Sequence, residues 1–379
     1  DVFEDFLVAT NQYSDLCLYC HQKNSWSNSD HKNSNKTWNG SGTDPWFHTN
    51  YTTVAENACE SCHNPHTASG QERLMNFTIE EDNCYVCHTG NVATENIQTQ
   101  IDKPYSHEVF SYSGIHDPEE LNIVQTKHVE CADCHNPHAV NNQVANPPDA
   151  NGNIKGVKGV NTDGISVNNI QYEYELCYRC HADSPDKPVS PTSRQIEQNN
   201  VRLEFDLSNP SFHPVEGQGQ NNNVPSLISP WTETSLVYCT SCHASDGTGS
   251  PSGPHGSIYP SILKFNYETA DFTPESFQAY ELCYQCHSRN SILNDDSFSE
   301  HKKHIKEEDA PCNACHDPHG ISSSQGNTNN NTHLINFDVS IVQPTMMGRL
   351  EFIDDGAFAG SCYLNCHGKK HDPKRYPGD

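Results

Sequence analysis

The stretch Cys131–Ala132–Asp133–Cys134–His135–Asn136–Pro137–His138 combines two thiols, an adjacent histidine and a second histidine beyond a proline. Its first part has the pattern C-x-x-C-H, in which the thiols bond one porphyrin edge and the histidine ligates the iron. Pro137 fixes its own φ and favours an extended Asn136, so a short helix must end there. His138 then lies on the same side of the ring as His135, and we expect it to ligate the iron of a neighbouring haem.

This pattern occurs nine times, and the copies are numbered motif 1 to motif 9 in chain order. Motif 9 differs because three residues separate its cysteines. The predicted attachment sites use all 18 cysteines: Cys17, Cys20, Cys59, Cys62, Cys84, Cys87, Cys131, Cys134, Cys177, Cys180, Cys239, Cys242, Cys283, Cys286, Cys312, Cys315, Cys362 and Cys366. The predicted proximal iron ligands are His21, His63, His88, His135, His181, His243, His287, His316 and His367. Since no cysteine remains for a disulfide, the sequence predicts nine c-type haems.

The composition indicates that haem, rather than apolar side chains, forms the core. Hydrophobic residues make up 33% of the 379 residues, below the usual share for a globular chain. We therefore expect a mostly irregular chain with short helices at the haem motifs and a few short β-strands, organised by the haems into an elongated multihaem cytochrome. Val201–Ser208, His333–Val342 and Arg349–Ile353 are the predicted strands, although extended coil over a haem edge fits them equally.

The formal net charge of −27 argues against nucleic acid and anionic membrane as partners. No apolar run reaches the roughly 18 residues that a spanning helix needs, so membrane insertion is not expected. Asp1 is typical of a mature N-terminus, and haem is attached to this motif outside the cytoplasmic membrane. The sequence therefore predicts export through a removed signal peptide and a location at the cell surface or outside the cell.

The motifs alternate between two kinds, which indicates a repeated unit. Motifs 2, 4 and 8 are followed by x-P-H, whereas motifs 1, 3, 5 and 7 follow a polar or aromatic lead. After motif 6 the x-P-H is missing, and His255 is the nearest substitute for its histidine. We expect one continuous domain over residues 1–379, with haem-pair units at about 13–66, 80–138, 173–255 and 279–319 and a single-haem unit at 333–379.

Histidine is the predicted second axial ligand at most irons. The chain has 23 histidines and nine are proximal, so 23 − 9 leaves 14. Methionine, the common alternative, occurs only at Met75, Met346 and Met347 and is not repeated across the units. The distal candidates are His48, His66, His107, His128, His138, His213, His255, His304, His319, His333 and His371. These eleven exceed the nine positions, and His31, His116 and His301 are expected to lie on the surface.

Zinc binding, disulfide bonding and thiol redox chemistry fit the cysteines less well than haem attachment does. Zinc sites built from paired cysteines need about four ligands each, whereas every motif supplies three with the same adjacent histidine. A disulfide framework suits an exported protein but does not account for that histidine. Thiol redox motifs are not expected in nine copies on one chain. Haem attachment is therefore the preferred interpretation.

The segment Cys59–Glu60–Ser61–Cys62–His63–Asn64–Pro65–His66, followed by Cys84–Tyr85–Val86–Cys87–His88, resembles the doubled motif of multihaem c-type cytochromes. The ending from His333 to His371, including the wider spacing in motif 9, resembles the C-terminal part of the same proteins. The resemblance implies electron transfer outside the cell, in particular by cytochromes that form extracellular filaments, or nanowires. The missing x-P-H after motif 6 departs from the family pattern, so the assignment of His255 as a distal ligand does not follow from the resemblance.

The leading hypothesis is a nonahaem cytochrome that carries electrons over long range through closely spaced bis-histidine haems, as the subunit of an extracellular filament. It is then an electron-transfer protein rather than an enzyme, with terminal reductase activity left open. The alternatives are a multihaem reductase with one open haem site, acting on nitrite, a sulfur oxyanion or a mineral surface, and a discrete periplasmic shuttle. Expected partners are further copies of the chain and other redox proteins or extracellular acceptors. A histidine donated across the subunit boundary would join copies, with His48 preferred over His31, His333 and His371.

Overall fold

Short helical turns at and around the cysteine motifs make up most of the regular structure. The computed structural model describes residues 7–66, 72–111, 128–247 and 249–377. The α-helices in these ranges are α1 (Asp15–Leu18), α2 (Asp30–Asn33), α3 (Val54–Asn57), α4 (Glu80–Tyr85), α5 (Gln98–Ile101), α6 (Cys131–Cys134), α7 (Glu173–His181), α8 (Val201–Glu204), α9 (Glu281–Tyr284) and α10 (Arg289–Leu293). A π-helical turn covers Lys303–Glu307.

Single 3₁₀ turns and very short strands account for the other regular elements. The 3₁₀ turns cover Gln12–Ser14, Trp26–Asn28, Ala58–Ser61, Glu72–Leu74, Val109–Ser111, Gly152–Ile154, Cys239–Ser241, Pro260–Ile262, Cys312–Ala314 and Thr332–Leu334. The strands are β1 (Tyr105–Ser106), β2 (Gly159–Val160), β3 (Ser166–Val167), β4 (Ser211–Phe212), β5 (Gly256–Ser257), β6 (Gly320–Ile321), β7 (Glu351–Gly356), β8 (Ala359–Cys366) and β9 (Lys369–Tyr376). Most of the described chain is coil, which confirms the expected fold class.

The C-x-x-C spacing forms a turn by its own backbone bonds. In motif 1 the Cys17 carbonyl accepts the N–H of Cys20 at 3.2 Å and that of His21 at 2.9 Å. The first of these bonds recurs in motifs 2, 3, 6, 7 and 8, while motifs 4 and 5 lie on α6 and α7. One such turn brings both thiols to the same face, as attachment to one porphyrin edge requires.

Helix α6 ends at Cys134, as the position of Pro137 predicts. His135 is extended, with φ −127° and ψ 122°. The Asn136 side chain donates to the Gly156 carbonyl at 2.9 Å and accepts the His138 N–H at 3.0 Å. These bonds fix the histidine beyond the proline relative to its motif.

The chain divides into two compact units, and the first contains the described residues of Asp1–Val160, Ser166–Leu176 and His243–Ile262. Within it, β1 pairs antiparallel with β5, and β2 with β3. A side chain at Gly256 would overlap the Gln100 carbonyl, so β5 packs against α5 only because this position is glycine. The unit has a small apolar cluster, formed by Ala150, Ile154, Val157 and Ile170.

The second unit contains the described residues of Asn161–Ile165, Cys177–Cys242 and Leu263–Asp379. Strands β4 and β6 pair antiparallel, and β7, β8 and β9 form an antiparallel sheet in that order. The sheet contributes Phe352 and Leu364 to an apolar cluster with Ala314, Ile335, Phe337 and Val342. The predicted single continuous domain and its haem-pair units stay predictions.

Two of the three strand predictions are wrong. Val201–Glu204 is helical because the Asn200 side chain accepts the Arg202 N–H at 3.2 Å and caps the turn. The described residues 333–342 form no strand, and two isolated bridges take up part of their backbone bonding. The third prediction overlaps β7, whose range is Glu351–Gly356. Among the described residues, no helix is both long and apolar enough to cross a membrane.

Arg194 joins separate segments of the second unit through its guanidinium group. This side chain is buried and donates to the carbonyls of Asn313 at 2.6 Å and Asn336 at 2.9 Å. It also lies 3.6 Å from the Asp317 carboxylate. Its removal would leave two carbonyls and a carboxylate without these donors, and burial makes that loss costly.

We expect Arg194→Ala to lower the free energy of unfolding of the haem-loaded protein by about 3 kcal/mol, because buried acceptors lose their donor. Arg375 is exposed, so Arg375→Ala is the matched control and should change that free energy by less than about 0.5 kcal/mol. Chemical denaturation followed by far-ultraviolet circular dichroism measures both variants. Equal stabilities would show that the Arg194 contacts give no net stabilisation.

Candidate haem-iron sites

Two imidazoles on one iron have a characteristic separation. A metal–nitrogen bond is about 2 Å long, and adding both ring radii places the ring centroids about 6 Å apart. Five pairs in the described residues combine a motif histidine with another histidine at such a distance. They are His88 with His31 at 6.2 Å, His63 with His138 at 6.2 Å, His135 with His255 at 6.0 Å, His287 with His213 at 6.5 Å and His316 with His301 at 6.3 Å.

In many of the histidine rings, paired or not, Nδ1 is hydrogen-bonded to a backbone carbonyl. His63 Nδ1 lies 2.9 Å from the Arg73 carbonyl and His135 Nδ1 lies 2.7 Å from the Asn153 carbonyl. Because a carbonyl only accepts, Nδ1 must carry the hydrogen, which leaves Nε2 with its lone pair for a metal. The same arrangement holds for His31, His107, His213, His243, His304 and His316.

Burial lowers the pKa of several of the paired rings. It lowers the pKa of His138 and of His255 to about 4, and in each case the facing motif histidine adds to the effect. Burial also lowers the pKa of His88, His287 and His316 to about 4. A neutral imidazole is the form that ligates a metal, so these rings are ready to bind iron at neutral pH without losing a proton.

Three of the eleven distal candidates fall in the five pairs: His138, His213 and His255. The ring of His138 faces His63 of motif 2 rather than His135 of its own motif. His255, the substitute for the missing x-P-H, faces His135 of motif 4. Gly256 holds His255 there, because β5 carries the backbone past α5 at close range. Their assignment as iron ligands stays a prediction.

Two further histidines, His31 and His301, lie at candidate iron sites. The sequence predicts both on the surface, but both are half-buried and face motif histidines. The Ser29 side chain caps α2 by accepting the Lys32 N–H at 3.2 Å, and this short helix carries His31. The sequence signal is one of order alone, because His31 is the first histidine after motif 1, as His213 is after motif 5. His116 lies outside the described residues.

The remaining distal candidates have varied surroundings. His48 and His66 are exposed. His319 Nδ1 lies 2.9 Å from the Glu204 carboxylate, and His333 Nε2 lies 3.5 Å from that of Asp354. His107 Nδ1 lies 3.0 Å from the Pro254 carbonyl, and His128 is half-buried.

His304 and His371 have ring centroids 6.2 Å apart, yet their surroundings do not fit a haem. The Tyr376 ring lies 6.2 Å from His304 and 6.3 Å from His371. Its hydroxyl is also bonded to His371 Nδ1 at 2.8 Å. Because the three rings are nearly equidistant, a porphyrin plane between the histidines would meet Tyr376.

Motif 9 is folded differently from the other eight. Its cysteines lie four residues apart on strand β8, which corresponds to about 13 Å of extended chain. His367 has a φ of 48°, its Nε2 lies 2.8 Å from the Asp271 carboxylate, and its ring stacks on Phe272 at 4.4 Å. This arrangement does not fit one porphyrin bonded to both thiols and ligated by His367, so the ninth haem stays a prediction.

The first cysteines of successive motifs lie side by side. Burial, together with the neighbouring Cys59 thiol, raises the pKa of Cys17 to about 11. A hydrogen bond with Cys131 raises the pKa of Cys84 well above its usual value. Motifs 1 and 2 therefore have neighbouring thiols, and so do motifs 3 and 4. These cysteines would hold the edges of two haems close together in each pair.

One comparison with known proteins bears on the cysteine motifs. The family described as doubled CXXCH motif matches residues 52–93 and 229–291, which hold motifs 2 and 3 and motifs 6 and 7. The match supports a multihaem c-type cytochrome that binds haem covalently and functions in electron transfer. No curated protein and no solved structure matched the chain.

The His63–His138 pair gives a direct spectroscopic prediction. His138→Ala should convert one haem from low-spin to high-spin, because the iron held by His63 loses its facing ligand. His138→Met is the matched control and should keep that haem six-coordinate with a raised potential. Resonance Raman spectroscopy of the ferric protein counts the high-spin haems. An unchanged low-spin spectrum in His138→Ala would contradict the pairing.

The His31–His88 pair is tested in the same way. We expect one high-spin haem in His31→Ala, and two in the double variant with His138→Ala, since the two histidines face different motifs. Lys32→Ala on the same helix is the control and should leave every haem low-spin. A double variant with only one high-spin haem would show that both changes act on the same iron.

Proposed function

We propose that the chain conducts electrons through nine closely spaced bis-histidine haems and that it is the subunit of an extracellular cytochrome filament. The observation that carries the proposal is the set of five imidazole pairs. Each would fill both axial positions of an iron and leave no position for a substrate. Such irons exchange electrons but do not bind reactants, which favours conduction over catalysis.

Two kinds of contact alternate along the first unit and support a continuous path. Motifs 3 and 4 are joined through neighbouring thiols, at Cys84 and Cys131. Motifs 4 and 2 are joined through an imidazole pair, because His138 follows motif 4 and faces His63 of motif 2. His255, which follows motif 6 in the chain, faces His135 of motif 4 within the same unit. Each haem would therefore lie near a haem of its own pair and near a segment of the next pair.

The proposal also covers the partners and the location of the protein. A net charge of −27 suits partners that are basic or metallic, such as basic redox proteins and extracellular metal acceptors. Bis-histidine ligation gives lower potentials than methionine ligation, so we place the protein early in a route that ends at an external acceptor. We infer an extracellular or cell-surface location, because haem attachment to these motifs takes place outside the cytoplasmic membrane.

A histidine donated to the next copy would fix the distance between the last haem of one subunit and the first of another. His48 is the proposed donor because it is exposed and lies beside Phe47, which is 79% exposed, with ring centroids 5.2 Å apart. His31 already faces His88, and His371 is bonded to Tyr376. His333 is exposed but lies near Asp354.

His48→Ala should abolish or shorten the filaments, because the neighbouring iron loses a ligand and the acidic subunits repel one another. Electron microscopy of native and variant material measures filament length, and size-exclusion chromatography measures the free subunit. Arg375→Ala changes an exposed side chain outside the candidate sites, so it is the control and should leave the filament length unchanged. Native material that stays monomeric at every concentration would overturn the filament proposal and favour a discrete shuttle.

A second function, reduction of a small oxyanion or a mineral surface at an open haem, is favoured by one observation. His367 of motif 9 is bonded through Nε2 to Asp271, so that nitrogen is engaged rather than turned towards a metal. A haem attached at motif 9 would require this bond to break, and with His367 as its single axial ligand it would have a position for a substrate. A high-spin haem in the native protein, together with turnover of nitrite by the isolated protein, would support this function.

A further inference from the structure

One buried carboxylate in the second unit is hydrogen-bonded to a candidate iron ligand. Glu204 is the last residue of α8, and its carboxylate lies 2.9 Å from His319 Nδ1. His319 is the histidine of the x-P-H that follows motif 8. This distance is that of a direct hydrogen bond. Glu204 therefore acts on the ring nitrogen opposite the one that would bind iron.

Regular structure holds both partners of this contact. Strand β6 begins at Gly320, directly after His319, and pairs with β4. A side chain at Gly320 would overlap the Glu204 carbonyl, so β6 reaches the end of α8 only because this position is glycine. The Asn200 side chain caps the other end of the same helix. The local sequence thus fixes the carboxylate beside the histidine ring.

The β1–β5 ribbon of the first unit has the same local structure as the β4–β6 ribbon. The sequence Pro-His-Gly occurs at 254–256 and at 318–320, and in both copies the glycine begins the second strand. The histidine that follows the partner strand, His107 or His213, is bonded through Nδ1 to the carbonyl of that proline. The central histidines of the two copies therefore occupy equivalent positions.

The two ribbons differ in what the central histidine meets. His255 Nδ1 is buried and has no hydrogen-bond partner among the described residues, whereas His319 Nδ1 has the Glu204 carboxylate. The difference comes from the helix beside the ribbon, since β5 packs on α5 and β6 packs on the end of α8. The carboxylate is therefore an addition to a repeated structure and not a requirement of that structure.

His319 is placed to serve an iron other than that of its own motif. His316 of motif 8 already faces His301, with ring centroids 6.3 Å apart. His255, in the equivalent position of the other ribbon, faces His135 of motif 4 although it follows motif 6. By this equivalence we expect His319 to ligate the haem of another motif, in agreement with the x-P-H geometry.

A carboxylate on Nδ1 changes the donor strength of the histidine ring. With Nε2 on a metal, the ring keeps its hydrogen on Nδ1 and donates it to Glu204. A charged acceptor attracts that hydrogen more strongly than a backbone carbonyl does, so the ring becomes a stronger donor to the metal. Ferric iron gains more from a strong donor than ferrous iron, because its charge is higher. His319 should therefore make its iron harder to reduce.

We propose that Glu204 is a positioning residue that fixes the tautomer of His319 and lowers the reduction potential of the haem that His319 ligates. The iron takes up one electron, and no bond of the protein forms or breaks. The proposal rests on the proposed function, because it requires His319 to be a distal ligand. It deepens that function by giving one haem of the path a potential below those of haems whose distal histidine lacks a charged acceptor.

The test compares the native haem-loaded full chain with Glu204→Gln. Glutamine keeps the size of the side chain and an acceptor oxygen but removes the charge. In a spectroscopic redox titration, one haem should become easier to reduce by about tenfold in its equilibrium constant, which is about 59 mV for one electron. Haem content, measured on the same samples, shows that both proteins are fully loaded. Coinciding titration curves would overturn the proposal.

The matched control is Asp206→Asn, which removes one carboxylate charge two residues further along the chain. Asp206 accepts the Ser208 N–H at 2.8 Å instead of a histidine N–H. The titration curve of this variant should coincide with the native curve. A shift as large as that of Glu204→Gln would show that the loss of charge, and not the bond to His319, sets the potential.

Electron paramagnetic resonance of the native protein gives a readout that does not depend on the folding of a variant. One low-spin ferric signal should indicate a stronger axial donor than the others, and it should be among the last to disappear during reduction. The absence of such a signal, or its early disappearance, would overturn the proposal.

His319→Ala separates a failure of this proposal from a failure of the proposed ligation. This variant should have one high-spin haem in the resonance Raman spectrum, whereas Glu204→Gln should stay entirely low-spin. One high-spin haem in His319→Ala together with an unchanged potential in Glu204→Gln would overturn the role of Glu204 alone. An entirely low-spin His319→Ala would overturn the ligation on which the proposal rests.

Discussion

The facing of two imidazole rings about 6 Å apart, a spacing that suits two ligands of one iron, is the constraint on which the rest of the structure depends. A motif supplies one ring next to its thiols, and a single helical turn is enough for that. The facing ring comes from a distant part of the chain, as His138 does for His63 and His255 does for His135. Loops, prolines and short strands position these second histidines, so regular structure is sparse and is found where a histidine must be held, as β5 holds His255.

A chain built around such sites has little apolar surface of its own, and buried polar groups replace part of it. Arg194 is held by two buried carbonyls, and the small clusters of each unit have only a few apolar side chains. Burying charge in this way is costly unless each group finds a partner or gives up its charge. Arg194 illustrates the first solution. Glu130 illustrates the second, because burial raises the pKa of this carboxyl group to about 10.

Local patterns predict the structure well where the determinant is local. The C-x-x-C turn, the end of α6 before Asn136 and the low content of regular structure follow from spacing, proline geometry and composition. Distant pairing is different, because no local pattern marks His301 as the partner of a motif histidine, and His31 is marked only by being the first histidine after motif 1. The alternation of apolar and polar residues also led to a wrong strand prediction at Val201–Glu204, because the Asn200 side chain caps a helical turn there. In motif 9 one additional residue between the cysteines removes the turn, and the segment pairs as strand β8.

The facing histidines would have a consequence for folding as well as for conduction. His63 is faced by a residue that follows motif 4, and His135 by one that follows motif 6. An iron bound between the two rings of a pair would close a long loop of the chain, and the binding energy would offset the entropy lost on closure. Binding at one haem would then stabilise the segment that carries the next, so successive motif pairs would depend on one another. A path for electrons and a cooperative fold would follow from the same iron–histidine bonds, because the contacts that bring neighbouring haems together would also close the chain.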